Sequence, residues 1–219
     1  MSLPWPARQI PALLPIYDPS LARWPLPPTL EALAEAGAEW VQYRDKHATD
    51  QEFLAAARQA ERLCDSLGLL LLLNDRVVIA AALTGVGAHI GQGDMPVDQA
   101  RCLLPERCLG LSTDVPDDLQ MTAELPIDYL AVGPVFHTAS KSDAGAAVGL
   151  QYIRDARRCT ERPLVAIGGI DAANARSVTA AGADCVAVLS AAVAVEDPFE
   201  SARAILESAT EGLRDRSVG

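Results

Sequence analysis

The sequence predicts a (β/α)8 barrel with eight parallel strands, and three observations support this fold class. Short apolar runs alternate with longer segments of helical period along the chain, which is typical of repeated strand–helix units. Runs such as Leu69 to Leu73 are continuously apolar, as expected for strands buried on both faces. A length of 219 residues suits one such barrel. We expect a single domain over residues 1–219, with the barrel over about 12–210.

Eight apolar runs are the predicted strands, and eight strand–helix pairs favour a closed barrel, because closure removes both exposed edges of the sheet. The predicted strands are Leu13 to Asp18, Trp40 to Arg44, Leu69 to Asn74, Val86 to Gly91, Cys108 to Ser112, Tyr129 to Phe136, Leu164 to Gly168 and Cys185 to Leu189.

Helix-start and helix-stop signals lie between these runs. The start signals are a T-x-x-E capping box at Thr49 and Glu52, Asp171 ahead of a helix ending at Gly182, and Asp197 followed by Pro198. The stop signals are Gly37 and Gly68.

The composition excludes several classes of function. A formal net charge of −11 argues against nucleic acid, because no basic stripe is available to neutralise phosphates. The five cysteines are odd in number and include no CxxC pair, so we expect neither a disulfide framework nor a zinc site. Residues Met1 to Pro11 lack the apolar region of a signal peptide, and no run approaches the ~18 apolar residues of a membrane span. We therefore expect a cytoplasmic protein.

Polar residues are dense where the predicted strands end, which is where barrels of this class carry their chemistry. They are Gln42, Arg44, Lys46, Asn74, Asp75, Asp94, Ser112, Thr138, Ser140, Lys141 and Ser190, and the glycine pair Gly168-Gly169 follows the seventh strand. Strand alternation places Gln42, Arg44 and Lys46 on one face, so all three can point into the mouth of the barrel.

Two carboxylates on adjacent strands suggest a metal site. Asp75 and Asp94 can cap the helices that follow them, or they can together hold Mg²⁺, which commonly takes one or two carboxylates plus substrate phosphates. We favour the metal because cations lie nearby in the sequence. Lys141 belongs to a loop, Phe136 to Gly149, long enough to act as a lid, with Thr138 and Ser140 as hydroxyl donors.

A phosphate site is expected after the last two strands. The Gly168-Gly169 turn and Ser190 occupy the region where barrels often bind phosphate through backbone N–H groups, although a tight turn alone also explains the glycines. His89 is interpreted as a hydrogen-bonded core histidine rather than a general base. His47 and His137 have no visible partner, and no Ser-His-Asp or Cys-His order fits the strand ends, so nucleophilic catalysis is not expected.

Seven stretches, in order and each at a predicted strand end, give the chain a resemblance to the thiamine phosphate synthase family over about Leu14 to Ala204. They are Gln42-Tyr43-Arg44-Asp45-Lys46, Asn74-Asp75-Arg76, Gly91-Gln92-Gly93-Asp94-Met95-Pro96, Gly110-Leu111-Ser112, Gly133-Pro134-Val135-Phe136 with Thr138 to Lys141, Val165-Ala166-Ile167-Gly168-Gly169-Ile170, and Ala187-Val188-Leu189-Ser190.

The resemblance implies an enzyme that joins an aminopyrimidine diphosphate to a thiazole phosphate, giving thiamine phosphate and pyrophosphate, with Mg²⁺ required. It implies that Asp75 and Asp94 hold the metal and that Gln42 binds the pyrimidine. The residues implied to contact the diphosphate are Arg44, Lys46, Asn74, Ser112 and Lys141, with Arg44, Ser112 and Lys141 as the catalytic group. Those implied to hold the thiazole phosphate are Thr138, Ser140, Gly169, Leu189 and Ser190.

The sequence departs from the family pattern at Val86 and Asp114, where the family commonly has Asp and His. Three alternatives remain: a thiazole tautomerase on the same barrel, a phosphate-ligand binding protein without catalysis, and a generic phosphosugar barrel. Asp114 counts against the tautomerase, because that group relies on a His there. We expect small-molecule substrates as partners, neither nucleic acid nor membrane, and pairing into a homodimer in which Trp5 and Trp24 lie at the interface.

Overall fold

The computed structural model describes residues 9–113, 124–138 and 146–218. It contains eight parallel strands that close into a barrel in sequence order, with β1 hydrogen-bonded to β8, as the sequence predicted. The strands are β1 (Leu13–Tyr17), β2 (Trp40–Tyr43), β3 (Leu70–Asn74), β4 (Gly87–Ile90), β5 (Leu109–Thr113), β6 (Tyr129–Val132), β7 (Leu164–Ile167) and β8 (Cys185–Val188).

Helices follow most of the strands and cover the outside of the barrel. Over the described residues they are α1 (Leu26–Glu35), α2 (Asp50–Leu67), α3 (Val77–Ala81), α4 (Val97–Leu103), α5 (Gly149–Cys159), α6 (Ala175–Ala180), α7 (Ser190–Val193) and α8 (Pro198–Val218). None of the helices in this part of the chain combines the length and apolarity that crossing a membrane requires.

Most predicted helix signals are confirmed. Thr49 and Glu52 form a reciprocal capping box at the start of α2, and Gly68 ends that helix with φ of +73°. Asp197 accepts a hydrogen bond from the Glu200 N–H at the start of α8. Asp171 is the exception, because its carboxylate accepts from the Ala173 N–H in a turn, and α6 begins only at Ala175.

The sixth strand is shorter than predicted. It ends at Val132 rather than Phe136. Pro134 has no N–H to continue the ladder, and Gly133 lies so close to β7 that a Cβ there would be 2.1 Å from the Ile167 carbonyl oxygen. The chain instead crosses toward β7, where the Val135 N–H donates to Ile167 O at 2.9 Å.

The barrel interior is filled by large side chains at its base. Trp40 and Tyr129 are fully buried, with ring centroids 6.4 Å apart. Tyr129 fits because its register partner on β5 is Gly110, where a Cβ would lie 2.1 Å from the phenol Cζ. The cavity described below opens at the carboxyl ends of the strands. Val86, the first departure from the family pattern, is buried immediately before β4.

Trp24 is 44% exposed, and its indole N–H donates to the Glu196 carbonyl oxygen. Trp5, the other residue expected at a subunit interface, lies outside the described residues.

Candidate active site

A cavity of about 330 Å³ opens at the carboxyl ends of the strands. Its floor is apolar, and polar groups ring its wall, as is common in sites that bind small molecules. Every predicted site residue within the described ranges lines this cavity: Gln42, Arg44, Lys46, Asn74, Asp75, Asp94, Ser112, Thr138, Gly168, Gly169, Leu189 and Ser190. Ser140, Lys141 and Asp114 lie outside the described residues.

The end of β2 supplies one wall. Gln42 lies beside Ile16 of β1 and Leu72 of β3 in the sheet register, and its side chain is buried. Arg44 follows the strand, and its backbone N–H donates to the Tyr17 carbonyl oxygen at 2.9 Å. Gln42, Arg44 and Lys46 all line the cavity at the barrel mouth, as strand alternation predicted.

Arg44 is a buried cation with a buried partner. Its side chain is only 9% exposed, and its Nη1 group donates to Oδ2 of Asp18, whose side chain is 2% exposed. Asp18 lies directly after β1 and was predicted only as the last residue of that strand. Its position after an apolar run is the same signal that identified the other polar residues, so the sequence contained the information needed to find it.

Asp75 and Asp94 form a carboxyl pair across the mouth from β3 to β4. Asp75 has a φ of +62°, and its N–H donates to the His89 carbonyl oxygen at 2.8 Å. Oδ2 of Asp94 accepts from the Gly91 N–H at 2.7 Å. Burial, a hydrogen bond with the Asp94 carboxyl and the charge of Asp94 raise the pKa of Asp75 to about 6, against the opposing effect of Lys46 and Arg44.

The helix-cap alternative for these two residues is wrong. The N-cap positions of α3 and α4 are Arg76 and Pro96, and neither helix start has a capping hydrogen bond from a side chain. Two carboxyls that share a hydrogen bond and repel as anions fit a divalent cation, which offsets their charge. No group of three His, Cys, Asp or Glu suited to a metal occurs within the described ranges.

Ser112 belongs to a hydrogen-bonded chain that the sequence did not reveal. His89 Nε2 lies 2.8 Å from Ser112 Oγ, and His89 Nδ1 lies 2.9 Å from the Tyr129 hydroxyl. The prediction of a hydrogen-bonded, buried histidine is confirmed, but the ring also lines the cavity. Burial raises the pKa of the Tyr129 phenol well above its ordinary value, so this hydroxyl stays protonated.

The opposite wall comes from the ends of β7 and β8. Gly168 and Gly169 have φ of +102° and +65°, and a Cβ at Gly169 would lie 2.6 Å from the His137 carbonyl oxygen. Glycine is therefore required here both for backbone conformation and for space. Ser190 begins α7, and Leu189 precedes it. Gly168, Gly169, Leu189 and Ser190 therefore line one side of a cavity whose other side carries the cations and carboxyls.

Comparison with known proteins gives a consistent family assignment. The family model described as thiamine monophosphate synthase matches residues 13–192. The chain is 46% identical over 172 residues to the thiamine-phosphate synthase of Albidiferax ferrireducens, covering 78% of each chain. It is 43% identical over 174 residues to that of Chloroflexus aurantiacus, covering 80% of this chain and 81% of the relative.

Solved structures agree. The thiamine phosphate pyrophosphorylase of Pyrococcus furiosus is similar with a TM-score of 0.83 and 30% sequence identity, over 92% of this chain and 96% of that one. A geranylgeranylglyceryl phosphate synthase from Thermoplasma acidophilum has a TM-score of 0.65 at 15% identity, which is a likeness of fold alone.

Proposed function

The chain belongs to the thiamine monophosphate synthase family, and from this premise we propose that it condenses 4-amino-2-methyl-5-hydroxymethylpyrimidine diphosphate with 4-methyl-5-(2-hydroxyethyl)thiazole phosphate. The products are thiamine phosphate and pyrophosphate. The observation that carries the proposal is one cavity with the Asp75–Asp94 carboxyl pair, Arg44 and Lys46 on one side and the Gly168-Gly169 turn on the other. This arrangement supports a diphosphate at one end and a monophosphate at the other.

The reaction breaks one carbon–oxygen bond and forms one carbon–nitrogen bond. Pyrophosphate leaves with the electron pair of the broken bond, and the pyrimidine methylene becomes a cation that the electron-rich ring stabilises. The lone pair of the thiazole nitrogen then forms the new bond. No residue needs to act as nucleophile, and we propose that no enzyme base is required.

Stabilising the leaving group is the main task of the residues in this site. Arg44, Lys46 and Lys141 supply positive charge toward the diphosphate, and Asn74 and Ser112 donate hydrogen bonds to it. Mg²⁺ held by Asp75 and Asp94 would neutralise part of the diphosphate charge. Gln42 contacts the pyrimidine.

Positioning of the thiazole phosphate is the task of the other wall. We assign this to the hydroxyls of Thr138 and Ser140 and the backbone N–H groups of Gly169, Leu189 and Ser190. Holding the thiazole nitrogen near the methylene makes its attack effectively intramolecular. Surrounding the cation with substrate also keeps water away from it.

Pyrophosphate release by the purified protein tests this function. Both heterocyclic substrates and Mg²⁺ are supplied, with EDTA and single-substrate reactions as controls. We expect release only when both substrates and metal are present, and we expect Asp94→Ala and Lys141→Ala each to lower the rate by about 10²- to 10³-fold. No release, together with isomerisation of a thiazole carboxylate phosphate, would instead favour the tautomerase. Silence in both assays would favour a binding role.

A further inference from the structure

We propose that Asp18 is a positioning residue for this reaction, orienting the Arg44 guanidinium toward the diphosphate. The proposal rests on the function proposed above and adds a residue to its machinery. Among the described residues, the cavity wall includes Arg44 but not Asp18, so Asp18 acts through Arg44 rather than on substrate.

Asp18 is itself held in place. Its Oδ1 accepts from the Ser20 hydroxyl at 2.6 Å and from the Ser20 N–H at 3.0 Å, while Oδ2 accepts from Arg44 Nη1. The Leu21 and Ala22 N–H groups donate to the Asp18 carbonyl oxygen at 3.1 and 2.8 Å, forming a turn after β1. Both carboxylate oxygens therefore have partners of their own, and the carboxylate has a fixed direction.

Arg44 keeps donors for a ligand after pairing with Asp18. Asp18 pairs with the Nη1 group, and Arg44 lines the cavity wall, where a substrate oxygen can accept from the other terminal nitrogen, Nη2. The Nε atom is enclosed by protein and has no hydrogen-bond partner within the described part of the chain, so the bond from Nη1 to Asp18 is the one that fixes the guanidinium. The guanidinium is planar, so fixing one terminal nitrogen also restricts the direction of its other donors.

The alternative is that this ion pair only joins β1 to β2. The strands are already joined by backbone hydrogen bonds, including the Arg44 N–H to Tyr17 O bond of 2.9 Å. Asp18 also reduces the net positive charge beside the diphosphate. Asp18 therefore favours the reaction only if orienting Arg44 stabilises the bound diphosphate more than the negative charge of Asp18 destabilises it. A double-mutant cycle measures the difference between these two effects.

The experiment compares Asp18→Asn, Arg44→Gln and the double variant in the full-length protein. We expect Asp18→Asn to lower kcat/KM for the pyrimidine diphosphate by about 10- to 100-fold, as for other residues that orient a binding group. Arg44→Gln should lower it by about 10²- to 10³-fold. The double variant should be within about twofold of Arg44→Gln, because Asp18 has no separate route to substrate. KM for the thiazole phosphate should change by about twofold or less in Asp18→Asn.

A matched control is Asp50→Asn. Asp50 pairs with Arg76 Nη1 at 2.6 Å, but its side chain is 79% exposed and it does not line the cavity. Asp50→Asn should therefore leave kcat/KM for the pyrimidine diphosphate and KM for the thiazole phosphate unchanged. If Arg44→Gln is poorly folded because the Asp18 charge is left buried, the double variant, which removes both charges, supplies the kcat/KM expected for loss of the arginine.

Calorimetry with inorganic pyrophosphate and Mg²⁺ separates this inference from the proposed function. Weaker binding to Asp18→Asn than to the wild-type protein supports the inference even if the wild type shows no turnover, which would overturn only the function. Equal pyrophosphate affinity, or losses in kcat/KM that multiply in the double variant of an active enzyme, would overturn the role of Asp18.

Discussion

His89 joins Ser112 to a residue deep in the barrel: its Nε2 lies 2.8 Å from Ser112 Oγ, and its Nδ1 lies 2.9 Å from the Tyr129 hydroxyl. Burial keeps the phenol protonated, so it can donate to Nδ1 and place the imidazole proton on Nε2. Nε2–H then donates to Ser112, whose own proton can point into the cavity. Under the function proposed above, this hydrogen-bonded chain prepares Ser112 as a donor to the leaving pyrophosphate.

We expect Tyr129→Phe to lower kcat about 10-fold and to reduce the free energy of unfolding by about 1–2 kcal/mol. Without the phenol hydroxyl, neither imidazole tautomer is selected. In part of the population the Ser112 hydroxyl then donates its hydrogen bond to His89 rather than into the cavity. The measurement is kcat together with chemical denaturation. Tyr17→Phe is the control, since the Tyr17 hydroxyl contacts the Trp24 carbonyl oxygen at 3.3 Å, outside the cavity wall. Equal kcat in both variants would contradict the role given to the chain.

Asp75→Asn should separate stability from activity. Folding raises the pKa of Asp75 to about 6, so the stability that its proton supplies is full below the ordinary carboxyl pKa and is lost as pH rises through about 6. In EDTA, the variant should therefore gain thermal stability relative to the wild type between about pH 5 and about pH 7. Asn also tolerates the φ of +62° at this position.

The same variant should lose Mg²⁺-dependent pyrophosphate release by about 10²- to 10³-fold. Thermal unfolding across pH in EDTA checks the expected gain in stability, and turnover in Mg²⁺ checks the expected loss of activity. Glu106→Gln, at an exposed site, is the control and should change neither the thermal stability nor the rate of pyrophosphate release. A difference in Tm between Asp75→Asn and wild type that does not vary with pH would show that burial and Asp94 do not raise the pKa of Asp75 in solution.

Gly110→Ala should destabilise the barrel by about 2–3 kcal/mol, because the added Cβ would meet the buried Tyr129 ring. That Cβ would lie 2.1 Å from Cζ and 2.5 Å from both Cε atoms of a fully buried ring. Chemical denaturation measures the loss. Gly93→Ala is the matched control for stability, since nothing lies within 4 Å of its added Cβ. Similar unfolding free energies for the two variants would contradict the packing described.

The strands were predictable from sequence because an apolar run buried on both faces leaves a strong local signal, as at Leu71 to Leu73. The polar residues that follow such runs were predictable for the same reason. Asp18 was missed because it was assigned to the end of the first strand. The hydrogen bond between His89 and Tyr129 was missed because the two residues are 40 positions apart in the sequence and meet only when the barrel closes. Asp171 was misassigned because a carboxylate can accept from a turn N–H as readily as from a helix N–H.

Substitutions at the end of the barrel opposite the cavity should change the free energy of unfolding and leave kcat nearly unchanged. Asp184 precedes β8, and its Oδ2 accepts from the Leu164 N–H and from Arg157 Nη1, both at 2.9 Å. Its Oδ1 accepts from Arg216 Nη2 at 2.7 Å, which ties α8 to the same point.

Asp184→Ala should therefore lower the free energy of unfolding by about 2–3 kcal/mol, because it leaves the start of β7 and two guanidinium groups without their shared acceptor. Its kcat should stay within about twofold of wild type at a temperature where the variant is folded, since the distant mouth keeps its geometry. Asp155→Ala removes an Asp–Arg pair that is exposed on α5, and its cost should be about 0.5 kcal/mol or less. Denaturation and turnover of both variants test whether this end of the barrel affects stability alone. A large drop in kcat for folded Asp184→Ala would show that the two ends of the barrel are coupled.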